Sequence, residues 1–295
     1  MKYIILFILL SESLFSQIQV TRNIIPIVDN DTSRRNSLFE RTDFSPELSR
    51  GNGSYKGDMA WSFKLIGYSE VYRFDNGNAI AFLLGHELNS NPYNDIAFNP
   101  RKATWEENIS YYANKDDFSY SIGIFHRCKH DIDITDRTTA QEGYYSNRVI
   151  ILNGLNASYN LIKNYDNFNI ITRVYGEYYF ISEDYKRPDN AFATFEDLIG
   201  SIRVSSAIDY SLGKIVDLRL LTSISNSISR KKSYLTDSKN NIDARIEFAI
   251  TLKGKKNRGD FFFAYETMFE ETTQVIPHQT TFWQIGIRLR PEIFR

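Results

Sequence analysis

Residues 242–253 read IDARIEFAITLK. Ile242, Ala244, Ile246, Phe248, Ile250 and Leu252 fall on one parity, and Asp243, Arg245, Glu247, Thr251 and Lys253 on the other. Alternate side chains of a β-strand point to opposite faces, so this stretch is a strand with one apolar face and one charged face. The same period of two recurs along the chain. Leu198, Ile202, Val204, Ile208 and Tyr210 oppose Asp197, Arg203 and Asp209. Val216, Leu218, Leu220, Ile224 and Ile228 oppose Asp217 and Arg219. Ile170, Val174, Tyr178 and Phe180 oppose Arg173 and Glu177, and Trp283, Ile285, Ile287 and Leu289 oppose Gln284, Arg288 and Arg290. Met59 to Val71, Ile80 to Glu87 and Phe118 to Ile124 read likewise.

A soluble sandwich also alternates, with its apolar face inward. Two features favour a membrane barrel. The apolar-periodic runs often reach about ten residues, the length that crosses a bilayer at a tilt. Short turns also alternate with long loops. The short ones fall at Asp75–Asn78, Asn114–Asp116, Lys163–Asn167, Leu212–Lys214 and Gly254–Gly259; the long ones at Asn89–Ala103, Ile134–Asn147, Glu183–Glu196, Arg230–Asn240 and Glu270–Thr280. Outer-membrane barrels have short periplasmic turns and long extracellular loops. The expected fold is therefore all-β, a transmembrane antiparallel meander β-barrel of about 12 strands. A first strand is expected near Ile18 to Val28, with 29–58 as the longest outer loop.

The composition agrees. After the N-terminus no apolar run reaches the roughly 20 residues of a membrane helix, yet 15% of residues are aromatic, with 19 Tyr and 21 Phe. Aromatic girdles at the interfaces account for both facts. A net charge of −1 speaks against a nucleic-acid partner, which calls for a basic face. The start, MKYIILFILLSESLFSQ, has a basic Lys2, a short apolar core and Ser16 before Gln17, as a cleaved secretory signal does. The domains expected are a signal peptide over 1–16 and one barrel over 17–295, in the outer membrane of a Gram-negative bacterium. Cys128 is the sole cysteine, so no internal disulfide forms.

The inward charges include Arg173, Glu177, Arg203, Asp217, Arg219, Asp243, Arg245, Glu247 and Arg288. A lumen of mixed sign and this width is expected to be filled by paired side chains or to leave a thin polar path. Asp217, Arg219, Asp243, Arg245 and Glu247 are expected to pair with one another.

One segment has chemical character: FHRCKHDID, Phe125 to Asp133. Alternation puts His126, Cys128 and His130 on one face and Arg127, Lys129, Asp131 and Asp133 on the other, at the outer end of a strand. Such residues serve as metal ligands, as a histidine-activated thiol nucleophile, or as rim anchors of a loop. All three readings stay open at this point. His86 and Glu107 share the apolar phase of nearby strands with His126. The segment resembles the Tyr-His-x-Ser-Ser-His-x-x-Asp pattern of a bacterial exported family known only as a domain of unknown function. NIIPIVDND (Asn23 to Asp31) is similar to its early Pro-Leu-x-Ala-Asp piece, and RVYGEYYF (Arg173 to Phe180) to its later Tyr-Gly piece. His126, His130 and Asp133 occupy matching positions. Cys128 stands where the family has Ser, and Asp131-Ile132 departs from it. The resemblance implies an outer-membrane barrel and no established activity.

These readings lead first to a non-enzymatic, porin-like barrel, a narrow transporter or channel or a structural surface protein. The alternatives are a lipid-modifying enzyme of the outer leaflet that uses the rim histidines, and a surface ligand-binding or adhesion module. Outer-membrane lipid is the partner expected, no cofactor is called for, and the oligomeric state is left open.

Overall fold

In the computed structural model, which describes residues 36–39, 41–53, 60–91, 99–115, 117–131, 149–185, 195–230, 240–268, 280–291 and 294, the alternating segments are long antiparallel strands. They are β1 (Ser37–Leu38), β2 (Thr42–Gly53), β3 (Trp61–Arg73), β4 (Ala79–Asn91), β5 (Asn99–Asn114), β6 (Phe118–Asp131) and β7 (Val149–Asn164). β8 (Phe168–Tyr185), β9 (Leu198–Ser211), β10 (Val216–Ser229), β11 (Asn240–Lys253), β12 (Asn257–Met268) and β13 (Thr280–Pro291) follow. Each of β3 to β13 pairs with its sequence neighbours, and β2 pairs with both β3 and β13. Twelve strands thus close into a meander barrel, and the two-residue β1 extends the edge of β2 along β3.

Burial runs opposite to that of a soluble sandwich. On β11, Ile246, Phe248, Ile250 and Leu252 are exposed, while Asp243, Arg245, Glu247 and Thr251 are buried. Charged side chains are buried only when paired, so the buried face is the lumen and the exposed apolar face is the wall that meets lipid. Aromatic residues mark the end with short turns. Phe74 packs between Tyr72 and Tyr111, Phe118 lies on Tyr159, and Phe168 on Tyr210. All three Trp residues face outward in the opposite halves of their strands: Trp61, Trp105 and Trp283. Such belts sit at the membrane–water interfaces.

The lumen is filled. Arg288 binds both oxygens of Glu247 at 2.8 and 3.0 Å, reaches Glu47 at 2.7 Å and lies 4.7 Å over the Phe262 ring. Arg245 joins Glu247 to Glu266, each at 2.5 Å, and Arg290 holds Asp260 at 2.6 Å. A second group centres on Glu177, which accepts bonds from Arg127, Tyr175, Tyr179 and Ser201. Arg127 also reaches Glu106 at 2.9 Å. Arg203 and Asp243 are buried inside, and Arg173 lies 4.6 Å from the Tyr175 ring. Apolar clusters lie toward both ends. Phe294 packs with Ile66, Tyr68, Leu83 and Tyr112 near the short turns, and Phe195 with Phe125, Ile150, Leu152, Tyr179 and Leu198 at the other end.

Several expectations need correction. The stretch 29–58 is not one loop, because it contains β1 and β2; the expected strand at 18–28 lies outside the described residues. The first strand escapes a periodicity reading because its outward positions are Phe44, Pro46, Leu48 and Arg50, only three of them apolar. Proline is tolerated because the β13 ladder ends at Glu47↔Arg288, one residue short of it. Leu198 faces the lumen cluster rather than lipid, since a register shift against Ser229 and Ile228 turns it inward. Arg219 pairs with Asp209 at 3.0 Å instead of Asp217, which takes Lys253 and Arg258. Cross-strand register, not spacing along one strand, chooses these partners.

The connections between strands are three to five residues at one end and seven to seventeen at the other. A peptide tag inserted in 132–148 or 269–279 should be labelled on intact cells, and one at 212–214 should not. The reverse pattern would invert the assigned topology.

Candidate active site

β6 carries its inward Phe125, Arg127 and Lys129 into the lumen, where all three are buried. The intervening His126, Cys128 and His130 are half-buried on the lipid-facing wall. Register adds their neighbours. His126 stands between Glu107 of β5 and Asn153 of β7, Cys128 between Trp105 and Ile151, and His130 between Ala103 and Val149.

The decisive contact is His126 Nδ1 to Asn153 Oδ1 at 2.6 Å. A carboxamide oxygen only accepts, so Nδ1 donates this bond and Nε2 lies on the far side of the ring. Cys128 lies two residues further out on the same face, about 6.6 Å along the strand, opposite Trp105 in the ladder. A thiol, an imidazole and a carboxamide therefore share one face of the wall, with the imidazole bonded to the carboxamide.

The wall behind this row is rigid. A Cβ on Gly154 would stand 2.1 Å from the Tyr178 carbonyl oxygen and 2.9 Å from the Phe125 ring, so only glycine lets β7 and β8 approach there. The β7–β8 register shifts between Asn153 and Gly154, a bulge of the kind that re-aims a side chain beside a site. A 3-10 turn, Phe195–Asp197, returns Phe195 to the lumen face of the wall, where its N–H donates to Asp184 Oδ2 at 3.1 Å and its carbonyl accepts from Ser182.

The five sequence candidates part company here. His126 and Cys128 belong to the row with Asn153. His130 meets the Trp105 ring edge-on, with centroids 5.2 Å apart, and His86 stacks on the same ring, also at 5.2 Å. Asp131 ends β6 opposite Lys102, and Asp133 lies outside the described residues. Among the described residues no three His, Cys, Asp or Glu side chains are grouped to hold a metal ion. Sequence reading missed Asn153. Its signal was a polar residue on the outward phase between Ile151 and Leu155, aligned with the polar interruptions at Glu107 and His126.

No family model matches the chain, and no curated protein matches its sequence. Solved structures match in fold. Outer membrane phospholipase A from Escherichia coli shares 12% identity, covering 91% of this chain and 98% of its own, with a TM-score of 0.48. The NanC porin shares 9% over 85% of this chain and 100% of its own, at 0.45, and LpxR from Salmonella typhimurium 10% over 83% and 99%, at 0.44. The chain is a transmembrane β-barrel: twelve antiparallel strands close on themselves, with an apolar outer wall and a charged lumen. The likeness is one of architecture and leaves the chemistry to the residues of the site.

Proposed function

We propose that this barrel is an acyl-transfer enzyme acting on ester-linked lipid of the outer leaflet, with Cys128 as nucleophile, His126 as general base and Asn153 as the group that orients it. The 2.6 Å His126–Asn153 hydrogen bond on the lipid-facing wall, two residues from the cysteine, carries this reading. His126 Nε2 takes the thiol proton, and the Cys128 sulfur attacks the ester carbonyl. The carbon–oxygen bond breaks, the leaving alkoxide regains the proton from His126, and the acyl group remains on sulfur as a thioester. A second nucleophile then releases it. Depth fits the substrate. Trp105, the residue opposite Cys128, belongs to the outward Trp set, at the level where lipid ester groups meet the interface. Below it, Ile109, Ile122, Ile124 and Leu155 present an exposed apolar surface to the acyl chains.

The transport reading has less support, because the lumen arginines Arg127, Arg245 and Arg288 are held in ion pairs across the interior. As part of the same proposal, residues 1–16 are an export signal and the long connections face outward.

The test uses the purified barrel in phosphatidylcholine vesicles. Wild type should gain the mass of one acyl chain on the Cys128 peptide and turn lipid over; Cys128→Ala should do neither. Equal turnover by the alanine variant, or ion conductance without any adduct, would overturn the assignment.

A further inference from the structure

Glu107 has no role in the chemistry above. It sits on the lipid-facing side of β5, directly opposite His126 and on the flank away from Asn153. It is half-buried, and among the described residues it makes no hydrogen bond or ion pair. A carboxylate on a lipid-facing wall is costly, and such residues are kept for function. Register also makes it a diagonal neighbour of Cys128, which stands opposite Trp105. Trp105 stands two residues along the same face with His86 stacked on its ring and His130 against it, so the group this wall offers to an ammonium ion is the Glu107 carboxylate.

We infer, on the basis of the thioester reading, that the second nucleophile is a primary amine carried on a lipid headgroup, that Glu107 receives it, and that the product is an amide. Thioesters yield to amines in preference to water far more than oxygen esters do. The site also opens onto lipid, where headgroup amines are concentrated and water is scarce. The step balances. The ammonium bound at Glu107 gives one proton to that carboxylate, and its nitrogen attacks the thioester carbonyl. The carbon–nitrogen bond forms and the carbon–sulfur bond breaks. The second nitrogen proton passes through His126 to the departing sulfur, so the enzyme returns with its thiol restored and one net proton goes to solvent from Glu107.

The experiment compares the full-length barrel in vesicles of phosphatidylethanolamine, whose headgroup has a primary amine, with phosphatidylcholine, whose headgroup nitrogen carries no hydrogen. Mass spectrometry follows both the Cys128 adduct and the lipid products. Phosphatidylethanolamine vesicles should yield N-acylated phosphatidylethanolamine; phosphatidylcholine vesicles should leave the adduct to slow hydrolysis. Glu107→Gln should lower the ratio of amide to adduct by about tenfold or more, the scale of one lost charge-assisted contact. An adduct that gives only free fatty acid in both vesicles, or amide at an unchanged ratio from Glu107→Gln, overturns this inference and leaves the nucleophile standing. Absence of the adduct in both vesicles overturns the nucleophile and this inference together.

Discussion

Replacing Arg288 by leucine should lower the stability of the barrel by about 3–5 kcal/mol, the scale for removing one member of a buried ion pair. The guanidinium is fully buried and answers three carboxylates, Glu47, Glu247 and Asp260. Leucine fills part of the volume and satisfies none of them. The penalty is chiefly that of buried charges left short of a partner in a medium of low dielectric. Arg245→Leu should behave in the same way, because it takes an arginine partner from both Glu247 and Glu266. Lipid-face controls one residue away, Ile287→Leu and Ile246→Leu, should each cost less than about 1.5 kcal/mol, as volume-conserving swaps do. Urea unfolding in detergent, followed by the mobility of the unboiled protein on a gel, reads the difference. The pair Arg288→Leu with Glu247→Leu should recover part of the loss, because the two sites are coupled. Small and equal effects from lumen and lipid-face variants would mean that water fills the lumen, and the transport reading would regain its footing.

His126→Gln should lower acyl turnover by about 10²- to 10⁴-fold, the usual worth of a positioned general base. The barrel should still assemble, because the ring lies on the outer wall and, among the described residues, its hydrogen bond is the one to Asn153. Asn153→Ala removes the acceptor that sets the tautomer and should cost about 10- to 100-fold, equivalent to one hydrogen bond to a group that becomes charged. His130→Gln should change turnover by no more than about twofold, as for a wall residue outside the catalytic row. This order distinguishes the triad from a diffuse histidine rim. A rim that binds metal or anchors a loop would make His126 and His130 equally sensitive and Asn153 indifferent. Gel mobility of each unboiled variant serves as the assembly control.

The barrel itself was legible before any coordinates. Strand geometry is local, so Ile246, Phe248 and Ile250 against Arg245 and Glu247 identify a strand with two unlike faces whatever surrounds it. Alternating loop lengths then give the meander and the even strand number. The same local rule placed His126, Cys128 and His130 on one face. Local rules fail where the apolar signal is thin, as in Thr42–Gly53 with its Pro46, or where a bulge shifts the phase, as at Leu198.

Pairing between strands is another matter. Which residue faces which is set by register, and register follows from closing twelve strands into one ring. That closure, not any motif, gives Arg219 to Asp209 and brings Arg288 onto Glu47, which is 241 residues away. It also carries Asn153, 27 positions along the chain, to within 2.6 Å of His126. The sequence by itself determined the strands, their two faces and the three wall residues of β6. The tertiary structure decided the partner of each, because hydrogen-bonded ladders transmit one register around the whole barrel and no single strand contains it.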